Sequence, residues 1–77
     1  MQTVRDTQGL LRSYRDSLAL SQEQAARLPQ FEPPLLARTL GRWERGEVSV
    51  KYWRLAQLAH AYGLEFRDLL ERLNGSK

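Results

Sequence analysis

The chain has no cysteine, a single histidine, and no apolar run of the length needed to cross a bilayer or serve as a signal peptide. Without cysteine it forms neither disulfides nor a thiolate metal site. His60 has no second histidine to share a metal with, so it reads as a solvated helix-surface residue. No metal or cofactor is expected. Serine and aspartate are present without a candidate base, a phosphate-cradling glycine loop or a paired-carboxylate pocket. Seventy-seven residues also leave little room for a substrate cavity or a separate effector-binding domain. These absences point to a soluble, cytoplasmic protein that is not an enzyme and has no membrane partner. Repeats and low-complexity tracts are missing too, and lysine is scarce, with ten arginines to two lysines.

The chain does have 42% hydrophobic residues, enough for one small domain over residues 1–77 that rests on packing alone. Only 74–77 has the character of a tail. The formal net charge is +3, and it is not spread evenly. Between Leu36 and Arg54 five basic residues (Arg38, Arg42, Arg45, Lys51, Arg54) face two acids (Glu44, Glu47), while the flanking segments balance. An excess confined to one segment suggests a local phosphate-binding surface, although a solvated basic helix face has the same composition.

Strand signals are weak and apolar residues fall at helical spacing almost throughout, which predicts five short helices in an all-α domain. The first spans about 7–18, with Leu11, Tyr14 and Leu18 inward. Ser21, with Gln24 in the capping-box position, starts a second over about 22–28. The run Pro29-Gln-Phe-Glu-Pro-Pro34 ends it, and a third follows over about 34–44, with a proline in its first turn and Gly46 as left-handed cap. Its residues Leu36, Leu40 and Trp43 form an apolar face. Arg38, Arg42 and Arg45 form a basic face on the other side. Gly41 is a weak spot inside this helix. Ser49 is the expected cap of a fourth helix over about 50–61, whose inner residues are Tyr52, Leu55, Ala59 and Tyr62. Gly63 ends it, and a fifth helix over about 65–73 turns Phe66, Leu69, Leu70 and Leu73 to the core.

Three stretches in this order resemble a known family: Leu11-Arg-Ser-Tyr-Arg-Asp-Ser-Leu-Ala-Leu-Ser-Gln-Glu-Gln-Ala-Ala26, Trp43-Glu-Arg-Gly46, and Leu55-Ala-Gln-Leu-Ala-His-Ala-Tyr-Gly-Leu64 with Asp68-Leu-Leu70. They are similar to the lambda-repressor-like (Cro/CI, XRE-type) helix-turn-helix family, over about Leu10 to Leu73. The resemblance implies a compact five-helix domain that binds double-stranded DNA, usually as a homodimer, with its third helix in the major groove. By the same resemblance, Gln22 touches a phosphate or adjacent base, Ala37, Arg38, Thr39 and Arg42 line the groove-facing side, and Arg45, Ser49 and Lys51 meet phosphates. Arg15 and Glu44 match a buried ion pair between the first helix and the end of the third.

The residue types suit those roles. Arginine offers two parallel donors to guanine or to phosphate, and the short Ala37 and Thr39 side chains allow close approach. The expected function is transcriptional regulation by a small repressor or antitoxin-like autorepressor, located with the nucleoid when bound. Its protein partners would be a toxin or an antirepressor. The alternative is an adaptor of the same shape that binds protein and does not read DNA. Trp53 is the candidate interface residue, since it lies off the inner stripe of its helix; covering a helix end is its structural alternative. The chain departs from the family in the turn between the second and third helices, which is about four residues longer and lacks the usual glycine. Either Phe31 folds back into the core or the third helix takes an unusual angle.

Overall fold

Seven short elements follow one another in residues 2–75, the part of the chain that the computed structural model describes. The end of the expected tail, residues 76–77, lies outside the described residues. The elements are β1 (Thr3–Val4), α1 (Leu10–Ser17), α2 (Gln22–Ala26), α3 (Ala37–Glu44), β2 (Val50–Lys51), α4 (Tyr52–Ala61) and α5 (Phe66–Leu73). The class is all-α, with one minor antiparallel pair that sets Thr3 opposite Lys51 and Val4 opposite Val50.

Helix α2 is the most locally determined element. Gln24 N donates to Ser21 Oγ at 3.0 Å and Ser21 N donates to Gln24 Oε1 at 2.9 Å, closing the capping box. Helix α3 ends as its glycine predicts: Gly46 takes φ 71°, Gly46 N donates to Trp43 O and Glu47 N donates to Arg42 O, which satisfies two terminal carbonyls.

Other boundaries differ from the sequence expectation. Helix α1 starts at Leu10, because the buried Asp6 carboxylate accepts from Gln8 N, Leu10 N and Leu11 N and so fixes its entry from outside the helix. Leu18 is the C-cap of α1 and 44% exposed, so it leaves the inner face assigned to it. Ser49 does not cap α4. The following residues, Val50 and Lys51, pair with the N-terminal strand instead, and Lys51 is the N-cap. Helix α3 starts at Ala37 and contains no proline. The chain stays extended through Leu36 while Leu35 enters the core, leaving Leu36 as a 56% exposed N-cap. Leu35 thus replaces Leu36 behind Leu40 and Trp43.

One buried cluster unites the elements, with Leu11, Leu40, Val50, Leu55 and Leu58 fully buried and Trp43 and Tyr62 close to it. Of the two arrangements open for the long turn, the chain adopts the one with Phe31 in the core, at 3% exposure. Tyr52 and Phe66 meet edge to face at 5.8 Å and join α4 to α5. Among the inner residues expected of these two helices, Tyr52, Phe66 and Leu70 are half-buried, and Leu58 takes an inner place the sequence reading left empty.

Candidate nucleic-acid interface

Helix α3 has two unlike sides. Leu40, Gly41, Trp43 and Glu44 are buried, whereas Arg38 and Arg42, one turn apart, are exposed. Neither arginine makes an ion pair among the described residues. Ala37 and Thr39 beside them are half-buried. Two guanidinium groups carried on a helix whose far side is locked into the core are therefore available as bidentate donors to a base edge or a phosphate.

The locking comes from the end of the helix. Arg15 Nε donates to Glu44 Oε2 at 2.6 Å and Arg15 Nη2 to Glu44 Oε1 at 3.0 Å, with the carboxylate side chain only 3% exposed. The hydrogen bond to Glu44 raises the Arg15 pKa above its ordinary value, against the opposing effect of burial. Arg15 Nη1 also donates to Leu20 O at 2.8 Å, which ties the α1–α2 turn to the same group.

Gln22 lies at the first position of α2, but its Nε2 donates inward to Glu44 Oε1 at 3.0 Å. It rests over Gly41, where a Cβ would come within 3.2 Å of that nitrogen. Gly41, a weak spot by helix propensity, is thus where α3 makes room for the Gln22 and Arg45 side chains. Arg45 is exposed at the C-cap and its Nε donates to Glu47 Oε2 at 2.6 Å. This bond raises the Arg45 pKa and lowers that of Glu47. Both groups are in water, so solvent screens the pair and leaves it free to rearrange. Ser49 and Lys51 are exposed in the segment that follows.

Arg54 is the basic residue of this segment whose position sequence reasoning missed. Its guanidinium donates to Pro33 O, Pro34 O and Gln57 Oε1 and lies 4.9 Å over the Trp53 ring. Gln57 is a helical neighbour, but no periodicity marks the two proline carbonyls, which stand 20 and 21 residues earlier in the chain. Trp53 is 50% exposed, beside an open groove of about 540 Å³ lined by Gln2, Thr3, Lys51 and Tyr52. His60 is exposed, and the described residues contain no cluster of metal-ligating side chains. No described helix is long and apolar enough to cross a membrane.

Comparison with curated proteins and with solved structures gave no match. A family model described as a helix-turn-helix domain matches residues 9–73, from the N-cap of α1 to the last residue of α5. That span contains the α2–α3 pair and every residue of the arginine face, and the chain belongs to the helix-turn-helix family, in agreement with the lambda-repressor-like (XRE/Cro) motifs of its sequence.

Proposed function

We propose that the protein is a sequence-specific double-stranded DNA-binding regulator that acts as a small repressor or antitoxin-like autorepressor. The observation that carries this reading is the pair of exposed arginines, Arg38 and Arg42, on the outward side of α3, without carboxylate partners among the described residues. Membership of the helix-turn-helix family supports it. In this reading Arg38 and Arg42 read base edges, with Ala37 and Thr39 close to the groove floor, while Arg45, Ser49 and Lys51 grip phosphates. Gln22 contributes at the backbone only by sharing its amide with Glu44. The working form is a homodimer in the cytoplasm, on nucleoid DNA, and a toxin or antirepressor is the protein partner that would relieve it.

The test separates base reading from phosphate binding. Arg38→Ala or Arg42→Ala is expected to cost roughly 1–3 kcal/mol on a duplex selected by the parent and to relax sequence choice. Arg45→Ala or Lys51→Ala is expected to weaken all duplexes about equally and reduce the salt dependence of binding. Affinities for selected and random duplexes at several salt concentrations decide, with circular dichroism as folding control. Full selectivity in the Arg38/Arg42 double variant overturns the assignment. The second reading, a protein-binding adaptor, is favoured by half-exposed Trp53 beside its groove. Absence of salt-dependent DNA binding in the parent would select it.

A further inference from the structure

The connection from α2 to α3 occupies residues 27–36 and contains all three prolines of the chain. Phe31 N donates to Leu28 O at 3.2 Å and closes a turn at the start of this segment, but Pro33 and Pro34 have no N–H to continue such bonding toward α3. Here it is held from two sides. Phe31 and Leu35 are buried, at 3% and 6% exposure. From α4, Arg54 Nη1 donates to Pro33 O at 2.6 Å, Arg54 Nη2 to Pro34 O at 3.3 Å, and Gln57 Nε2 to Glu32 O at 2.9 Å. Three consecutive carbonyls are thereby taken by two side chains one turn apart. Arg54 Nη1 also donates to Gln57 Oε1 at 2.9 Å, so each member of the clamp orients the other.

We propose that Arg54 and Gln57 are positioning residues for DNA reading, which fix the N-terminal end of α3 by clamping the proline segment. The inference rests on the DNA-binding reading above. The two ends of α3 are secured differently. Glu44 at the C-terminal end is held by Arg15 and Gln22. At the other end the N-cap, Leu36, makes no side-chain capping bond and is 56% exposed, and an open groove of about 220 Å³ separates α2 residues Glu23 and Ala26 from Leu36 and Ala37. The clamped carbonyls stand immediately before Leu35 and Leu36. Release of the clamp frees the first turn of α3 to pivot about its buried C-terminal half. Bidentate arginine contacts to a base tolerate displacement of only about half an ångström, so Arg38 loses its register first.

The experiment uses the full chain and a duplex selected by the parent from a random library, with a random duplex for comparison. Arg54→Ala and Gln57→Ala are each expected to lose about tenfold or more on the selected duplex while binding the random duplex within about twofold of the parent. NMR order parameters of Glu32, Leu35 and Leu36 should fall in both variants, with α1, α4 and α5 still helical. Gln57 carries no charge, so its variant separates positioning from phosphate attraction. Equal losses on both duplexes with a smaller salt slope for Arg54→Ala, and none for Gln57→Ala, would make Arg54 a direct phosphate contact and overturn the proposal. Unchanged selectivity in both variants overturns it as well, with the DNA reading intact. A parent that selects no duplex overturns the DNA reading itself and this inference with it.

Discussion

Three hydrogen-bond donors converge on the Glu44 carboxylate, two from Arg15 and one from Gln22. Removing the guanidinium leaves a buried carboxylate without its charge partner, so Arg15→Ala is expected to destabilise the fold by about 3–5 kcal/mol. Thermal melting measures it, and an Arg15→Met/Glu44→Leu double variant should recover part of the loss because neither charge is then stranded. An unchanged midpoint in the single variant would mean that water substitutes for Arg15. Near this pair the Tyr62 hydroxyl is buried with no hydrogen-bond partner among the described residues. Burial first, and then the negative charge of Glu44, push its pKa from 10.0 up to about 12. The unfolded chain therefore ionises this phenol at lower pH than the folded one. Its titration leaves stability unchanged below about pH 10 and lowers it as pH rises toward 12. Tyr62→Phe is expected to be neutral or stabilising by about 1 kcal/mol at pH 7, since it removes an unpaired polar atom. It should also lose less stability than the parent between pH 9 and about 11.5 in chemical denaturation. Equal losses in both proteins would refute this.

At the scale of elements, the N-terminal strand and the end of α3 depend on each other. Gly46 has φ 71°, and a Cβ there would lie 2.5 Å from the backbone oxygen of Asp6. Gly63 has nearly the same φ, 72°, but a Cβ there meets nothing within 4 Å among the described residues. Gly63→Ala should therefore show only the left-handed backbone penalty, about 1 kcal/mol, while Gly46→Ala should cost clearly more because β1 or the Asp6 cap of α1 must move. Urea midpoints of the two variants test this, and equal shifts would show that the N-terminal segment yields without cost. The same region shows where sequence reading stops. The Ser21–Gln24 box and the glycine ends of α3 and α4 were legible because each is formed by residues within a few positions of one another. The β1–β2 pair was not. Each strand has two residues, too few for alternation to register, and its partner lies over 40 positions away. The prolines allowed a helix from residue 34, and burial of Leu35 delayed it to Ala37.

At the scale of the whole molecule, the fold measures 31 × 23 × 23 Å. Its longest dimension is shorter than the roughly 34 Å between successive major-groove half-sites, so two copies on adjacent half-sites would not overlap. A single module of this size contacts few base pairs, so a two-fold dimer on DNA is expected, with Trp53 and α5 as candidate contacts. Sedimentation of the protein with a selected duplex should give two chains per site at saturation. Strictly one would refute the dimer, whereas monomers without DNA would not.

The outward direction of Arg38 and Arg42 and the inward one of Leu40 and Trp43 were settled by sequence alone, because helical periodicity is a local property that every residue of α3 shares. The all-α class and the helix-turn-helix family were legible for the same reason, through motifs formed by near neighbours. What the tertiary structure decided is the use of residues whose partners are distant. Gln22 turns inward to Glu44, Asp6 caps a helix from outside it, and Arg54, which counts in the sequence as one more cation of a basic segment, spends its donors on proline carbonyls. Charge and periodicity say which groups a segment carries and which face they share. Which acceptor each donor finds depends on the loop that folding brings to it.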